Sequence, residues 1–244
     1  MAFLSTSIGA LPAVFSKTLS ERTRDTLLGF GAGVMLAATG FSLITPGLET
    51  ARQLYESRWT AALLVSAGIL GGVLMIRLLE RLVPHEHFYK GEDQRHDKVR
   101  SRLWLFVMAI IIHNIPEGFA IGVAAGSGGE RGFPLALGIS LQDLPEGLVV
   151  ALALRELGYR RRTAFAVAAF SGFVEPVAAL IGTLIVGIAQ AFLAWGLALA
   201  AGAMLFVISH EVIPECHRRG SEMRATWGLV LGFVLMMTLD YALG

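Results

Sequence analysis

Residues 102–125 read RLWLFVMAIIIHNIPEGFAIGVAA, an apolar run with a histidine and a glutamate near its centre. A helix needs about 20 mostly apolar residues to cross the ~30 Å hydrocarbon core of a bilayer, and this run is long enough. Across the whole chain, 55% of the 244 residues are apolar and 16% are charged, and the mean hydropathy is +0.64. An average soluble domain is about 45–50% apolar and about 25% charged. The sequence therefore predicts an integral membrane protein and argues against a soluble enzyme.

Eight apolar stretches predict an all-α bundle of eight membrane spans. The spans are Ala2–Ser16, Asp25–Leu48, Thr60–Leu82, Arg102–Ala125, Phe133–Leu154, Thr163–Val186, Phe192–Ile213 and Thr226–Leu243. Because they occupy most of the chain, we expect residues 1–244 to form a single transmembrane domain with short connections. The first span lacks the basic flank and the clear cleavage site of a signal peptide, so we expect a span in a chain whose N-terminus is truncated.

The positive charges predict the orientation. Of the 20 Lys and Arg residues, 16 lie in the odd-numbered loops or at the span ends beside them, and 3 lie in the even-numbered loops. Cytoplasmic loops carry the excess of Lys and Arg, so both termini are predicted to face outside.

The net charge of +1 implies no nucleic-acid partner. The single cysteine, Cys216, excludes an internal disulfide and a Cys-rich metal site.

The longest predicted loop, residues 84–101, is cytoplasmic in this topology. It carries three histidines, His85, His87 and His96, among mixed charges. Two interpretations stay open at this point: a solvated linker, or a weak metal-collecting segment, since His-rich tracts bind metal ions.

A polar six-residue pattern occurs twice inside the membrane. Span four holds His113-Asn114-Ile115-Pro116-Glu117-Gly118, and span five holds Gln142-Asp143-Leu144-Pro145-Glu146-Gly147. A repeat on two adjacent, oppositely directed helices is typical of the inverted repeats of secondary transporters. Residues i and i+4 share a helix face, so His113 is predicted above Glu117 and Gln142 above Glu146. The glycine after each glutamate allows close helix packing.

Other ionisable residues extend this pattern across the membrane. Glu175 adds a third central carboxylate; Glu49 and Asp240 fall at the outer mouth, and His210 and Glu211 towards the cytoplasmic end of span seven. Ionisable groups in a span are costly, and central carboxylates must be paired or neutralised. The layout predicts a cation path.

Several individual residues also have structural explanations. Gln142 could join helices by hydrogen bonding, and Glu49 and Asp240 could be ordinary solvated helix ends. Met35, in span two, is either a lipid-facing or core side chain or a metal ligand.

The donor types indicate which cation is carried. Imidazole, carboxylate and amide oxygen suit divalent Zn, Fe, Mn, Ni or Cd, whereas Cu(I) prefers thiolate and thioether. A proton relay of His and Glu is also physically possible. An intramembrane metalloenzyme fails on spacing, because a zincin needs His-Glu-x-x-His and position 214 is proline.

These residues resemble the ZIP (Zrt/Irt-like) family of metal-ion transporters, in its bacterial branch. The resemblance rests on the paired motif, on Glu175 and on Ser209-His210-Glu211 at the end of span seven. It implies a multi-pass protein of the bacterial cytoplasmic membrane, a homodimer in the lipid bilayer, whose middle helices slide against a scaffold. It implies uptake of divalent ions into the cytoplasm by alternating access, Zn²⁺ foremost and also Cd²⁺, Fe²⁺ or Mn²⁺, with no organic cofactor. The alternative is a proton-coupled or channel-like cation permease of other specificity.

The resemblance also implies roles for individual residues. His113, Glu117, Gln142 and Glu146 would hold the transported ion. Asn114, Asp143 and Glu175 would hold a second ion, with Glu117 and Glu146 bridging the two. His210 and Glu211 would belong to the release route. Gln142 and Asp143 replace the His-Asn pair that many members carry on span five, which puts the metal selectivity in question.

Overall fold

A computed structural model describes residues 1–15, 20–82, 96–126, 132–156, 158–188, 192–217 and 222–243. Within these ranges the chain is helical and has no strand. The helices are α1 (Ala2–Ala10), α2 (Pro12–Phe15), α3 (Glu21–Ala37), π1 (Ala38–Ile44), α4 (Thr45–Leu54), α5 (Arg58–Leu82), α6 (His96–Gly126), α7 (Gly132–Glu156), α8 (Arg161–Ile188), α9 (Phe192–Val207), π2 (Ile208–Val212), α10 (Ile213–His217) and α11 (Glu222–Leu243). The predicted all-α class is therefore found in the part of the chain that the structure describes.

Six helical segments are long and apolar enough to cross a membrane. They are Glu21–Leu54, Arg58–Leu78, Gly132–Arg155, Arg161–Val186, Leu193–His217 and Glu222–Leu243. The predicted first and fourth spans overlap two shorter described apolar segments, Ala2–Phe15 and Ile110–Gly126. The total of eight spans stays a prediction.

The helices differ in their bounds from the predicted spans. α6 begins at His96, inside the predicted loop 84–101, and α3 begins at Glu21 rather than at Asp25. At the N-terminus of α3, the Ser20 hydroxyl accepts a hydrogen bond from the Thr23 amide, and this cap fixes the earlier start. His85 and His87 lie outside the described residues.

Two spans contain a π-helical turn, and each turn comes just before a proline. π1 ends at Ile44, two residues before Pro46, and π2 ends at Val212, two residues before Pro214. A proline ring clashes with the carbonyl four residues earlier in a regular α-helix, and the wider π turn gives it room. By contrast, Pro116, Pro145 and Pro176 lie inside continuous α-helices.

The helices pack in two groups. One group, here called the motif bundle, consists of α1, α6, α7 and α8, in which α6 packs on α8 and α1 lies against both α7 and α8. The other group, the flanking helices, pairs α3 with α11 and α5 with α9. The groups meet mainly where α9 contacts α6 and α3 contacts α7. Buried side chains such as Met35, Ile139 and Met204 fill one hydrophobic core that draws on both groups.

Candidate metal centre

Both copies of the polar motif lie within unbroken helices of the motif bundle. Asn114 and Glu117 lie on α6, Gln142, Asp143 and Glu146 on α7, and Glu175 on the neighbouring α8. These three helices pack against one another, so residues far apart in the sequence come together in space.

Three carboxylates form the centre of this site. One oxygen of each of Glu117, Asp143 and Glu146 lies within 4.8 Å of the other two. Glu117 and Asp143 are fully buried, and Glu146 is half-buried. Ionised carboxylates at this separation repel one another strongly in a medium of low dielectric constant. A cation between them removes that repulsion, so the cluster has the composition and spacing of a cation site.

Several oxygens at this site have no hydrogen-bond donor among the described residues. They are both carboxylate oxygens of Asp143, Oε1 of Glu146, Oε2 of Glu175 and the amide oxygen Oδ1 of Asn114. Buried polar atoms are nearly always satisfied in native proteins, and the exceptions require an explanation. Oxygen atoms that converge without donors are what a divalent cation needs as ligands.

Gln142 joins the two copies of the motif. Its side-chain Nε2 donates a hydrogen bond to Oε1 of Glu117, across the interface between α7 and α6. In this arrangement the amide presents its donor, rather than its oxygen, to the carboxylate. Coordination of an ion by Gln142 through its amide oxygen requires the amide group to rotate.

Asn114 and Glu175 connect the cluster to α8. The Asn114 side-chain Nδ2 donates to the backbone carbonyl of Ser171 over 3.0 Å, and this bond leaves its Oδ1 available as a ligand. Glu175 is 1% exposed, and its Oε1 lies 3.4 Å from the hydroxyl of Thr6 on α1. The second set of predicted ligands therefore lies on three helices and is supported by a fourth.

The glycine after each motif glutamate packs directly against a backbone, as the sequence predicts. A Cβ atom on Gly118 would lie 2.3 Å from the carbonyl oxygen of Glu175, and one on Gly147 would lie 2.1 Å from that of Thr6. Such distances exclude any side chain at either position without a shift of the helices. These two glycines thus allow α6 to approach α8, and α7 to approach α1, to direct backbone contact.

Two predicted ligands of the transported ion remain to be placed. His113 lies on α6, four residues before Glu117, but its side chain lies outside what the structure describes. Met35 is 2% exposed on α3 and belongs to the same hydrophobic cluster as Ile112 of α6 and Ile139 of α7. Its surroundings are those of a core side chain at the junction of the two helix groups.

The predicted entrance residues lie apart from the carboxylate cluster. Glu49 is exposed on α4, and Asp240 is half-buried near the end of α11. The Ser42 hydroxyl, in π1, donates a hydrogen bond to Oδ1 of Asp240. Asp240 is therefore tied to the π turn of the neighbouring span and is more than a solvated helix end.

The predicted release residues lie at the other end of the flanking helices. His210 is exposed in π2, with its ring 5.0 Å from that of Phe206, and the side chain of Glu211 lies outside what the structure describes. Asp25, on the adjoining α3, is completely buried, and neither of its carboxylate oxygens accepts a hydrogen bond from the described residues.

Sequence reasoning missed three polar residues near the predicted path. They are Thr6, Ser42 and Asp25. The signal for Thr6 and Ser42 was weak, because each is only a hydroxyl residue within an apolar stretch. Such residues often hydrogen-bond to the backbone of their own helix and need no other partner. Asp25 was taken as the edge of a span, whereas the helix starts a full turn earlier and carries it inside.

Comparison with known proteins supplies an independent finding. A family model described as ZIP Zinc transporter matches residues 85–240. The chain is 50% identical to the zinc transporter ZIPB of Bordetella bronchiseptica, over 99% of this chain and 79% of that protein. It is 45% identical to the zinc transporter GufA of Myxococcus xanthus, over 100% of this chain and 96% of that protein. The human zinc transporter ZIP11 is 31% identical, over 96% of this chain and 92% of that protein.

Proposed function

The chain belongs to the ZIP family, and on that premise we propose that it carries divalent transition-metal ions across the bacterial cytoplasmic membrane into the cytoplasm. Zn²⁺ is the foremost cargo, because the relatives are zinc transporters by name. Cd²⁺, Fe²⁺ and Mn²⁺ are further candidates, since the same donors bind them. The protein acts as a carrier, not as an enzyme.

One observation carries this proposal: the buried cluster of Glu117, Asp143 and Glu146, whose oxygens lie within 4.8 Å of one another. Placing several carboxylates together inside a membrane protein is expensive unless a cation compensates their charge. A helix bundle with no transport role gains nothing from such a cluster. The free-energy cost of burying these carboxylates is explained if the cluster binds and releases a cation.

The proposed centre holds two ions. His113, Glu117, Gln142 and Glu146 bind the transported ion, with Met35 as an additional candidate from α3. Asn114, Asp143 and Glu175 bind the second ion, and the two glutamates bridge. This assignment agrees with the donorless oxygens of Asp143, Glu175 and Asn114. Gln142 joins the first set by turning its amide away from Glu117 when the ion arrives.

The ion reaches and leaves this centre through the ends of the flanking helices. Glu49 and Asp240 attract cations at the outer mouth, and His210 and Glu211 accept them on the cytoplasmic side. Both termini face outside in this topology, and the protein assembles as a homodimer.

The packing of the two helix groups supports alternating access as the transport mechanism. All the carboxylates of the centre lie in the motif bundle. Met35 and the entrance and release residues lie on the flanking helices α3 and α11 or on the segments α4 and π2, which continue α3 and α9 along the chain. Contacts within each group are far more extensive than those between the groups. Movement of the motif bundle against the flanking helices then exposes the same centre first to one side and then to the other.

Uptake of Zn²⁺ by purified protein in liposomes tests this function directly. We expect saturable uptake that is abolished by Glu117→Gln, which removes a bridging carboxylate. The matched control is Glu222→Gln, which makes the same chemical change at an exposed position in the first turn of α11. Absence of uptake by the wild type, or wild-type uptake by Glu117→Gln, contradicts the proposal. Uptake measured with a pH gradient imposed in each direction distinguishes a proton-coupled carrier from an uncoupled one.

A further inference from the structure

Helix α1 contributes a side chain that reaches the proposed second metal site. Thr6 is 1% exposed, and its hydroxyl oxygen lies 3.4 Å from Oε1 of Glu175 on α8. Glu175 and Thr6 are 169 residues apart in the sequence, so this contact exists only because α1 docks on the motif bundle.

Two glycines fix the position of Thr6. A Cβ on Gly172, three residues before Glu175, would lie 2.7 Å from both Cβ and Oγ1 of Thr6. A Cβ on Gly147, directly after Glu146, would lie 2.1 Å from the Thr6 carbonyl oxygen. The threonine side chain therefore occupies space left by α8, while its backbone rests on α7.

An aromatic pair fixes the same docking one turn away. The rings of Phe3 on α1 and Phe173 on α8 meet edge to face, with centroids 5.8 Å apart. Edge-to-face pairs add about 0.5–1.5 kcal/mol beyond the area that they bury. Phe3 and Thr6 lie three residues apart and so share one face of α1. That face holds the hydroxyl at a defined distance from Glu175.

The two oxygens of Glu175 have different surroundings. Oε1 faces the Thr6 hydroxyl, whereas Oε2 is buried and has no hydrogen-bond donor among the described residues. We propose that Thr6 is a positioning residue of the second metal site: its hydroxyl holds Oε1 of Glu175 and thereby turns Oε2 towards the ion. The inference rests on the proposed function, because Glu175 is a ligand only if the centre binds two ions.

The hydroxyl has one hydrogen and two acceptors within reach. Besides Glu175, the backbone carbonyl of Ala2 lies 3.3 Å from Thr6 Oγ1, one turn earlier in α1. Hydrogen bonds to an ionised group are shorter and roughly twice as strong as neutral ones. The bond from Thr6 to the Glu175 carboxylate is therefore the stronger of the two.

The structural alternative is that Thr6 only fills the space beside Gly172. Two substitutions separate the roles. Thr6→Val keeps the shape and removes the hydroxyl, whereas Thr6→Ser keeps the hydroxyl and removes the methyl group. A packing role predicts that Val is tolerated and Ser is harmful, and a positioning role predicts the reverse.

The test counts Zn²⁺ ions bound per purified chain by equilibrium dialysis and elemental analysis over a range of Zn²⁺ concentrations. We expect two ions on the wild type and on Thr6→Ser. On Thr6→Val we expect the first ion to bind unchanged and the second about tenfold more weakly, the size of one hydrogen bond to a charged group. Thr183→Val is the matched control, since it removes a 3.0 Å inter-helix hydroxyl bond from α8 to the Gly122 carbonyl. We expect this control to bind two ions as the wild type does.

A second variant pair guards against a folding defect. If Thr6→Val fails to fold, Thr6→Ala replaces it and is compared with Thr6→Ser. In the Glu175→Gln background, removing the Thr6 hydroxyl should change ion binding no further, because the two groups act together. Wild-type binding of the second ion by Thr6→Val, or equal weakening by Thr6→Ser, overturns the role of Thr6 alone. A wild-type chain that binds fewer than two ions overturns the two-ion centre as well.

Discussion

Replacing Glu146 by Gln removes one charge from the carboxylate cluster and keeps the size and hydrogen-bonding capacity of the side chain. At 4.8 Å and an effective dielectric constant of about 20, two ionised carboxylates repel by about 3.5 kcal/mol. We therefore expect metal-free Glu146→Gln to be as stable as the wild type or more stable, by up to about 3 kcal/mol.

Binding of metal should change in the opposite direction. At a Zn²⁺ concentration 1,000 times Kd, a bound ion stabilises the native state by about 4.1 kcal/mol. Loss of a bridging ligand that weakens binding about 100-fold reduces this stabilisation to about 1.4 kcal/mol at the same concentration. In a chain of this length the metal-induced increase in Tm falls from roughly 12 °C to roughly 4 °C.

Thermal melting with and without Zn²⁺ measures both effects on the same samples. The expected signature is a raised or unchanged Tm without metal together with a reduced increase on adding metal. A side chain that merely joins helices gives a different result, because its removal leaves the metal response unchanged. Glu222→Gln controls for the change of charge at an exposed position. A wild-type increase in Tm for Glu146→Gln refutes the assignment of Glu146 as a bridging ligand.

Three further predictions follow from other parts of the molecule. Gln142→His adds an imidazole donor to the first ion site, so liposome uptake should shift towards Zn²⁺ over Mn²⁺; an unchanged ratio in competition would exclude Gln142 as a ligand. Gly118→Ala places a Cβ 2.3 Å from the Glu175 carbonyl and should lower both Tm and metal binding, whereas Gly71→Ala, with nothing within 4 Å of its Cβ, should change neither. In a chain whose natural cysteine is replaced by Cys216→Ser, a cysteine at Ser127 should react with an impermeant reagent from outside and one at Gly158 only from the cytoplasm, and the reverse pattern would overturn the charge-based topology.

Much of the fold could be predicted because membrane helices leave a strong signal. Long apolar stretches located the helices to within a few residues at most ends, and the repeated motif located the central polar groups on two helices of one bundle. The repeat works as a signal because the cost of buried ionisable groups leaves few reasons to place Glu117 and Glu146 at matching positions.

The remaining features depend on contacts between distant segments. The hydrogen bond from Gln142 to Glu117 depends on the relative rotation of α6 and α7. The contact between Thr6 and Glu175 depends on the docking of α1. The hydrogen bond from Ser42 to Asp240 depends on the register of π1 against α11. The early start of α6 at His96 lies in a polar stretch, where hydropathy gives no signal. Local sequence patterns contain none of this information.

The glycines that follow Glu117 and Glu146 restrict how this protein could change its preferred ion. Gly118 contacts the backbone of Glu175 itself. The separation of the α6 and α8 axes therefore determines the width of the cage, by which we mean the space enclosed by the proposed ligands on these helices and α7. No gradual enlargement of the side chain at position 118 can widen the cage, since the first added carbon already displaces α8, which carries the proposed ligand Glu175. Preference among metals can therefore change by exchange of donor atoms at positions such as 142 and 143, while the cage keeps its dimensions. A shift towards a larger cation would require a new docking of whole helices.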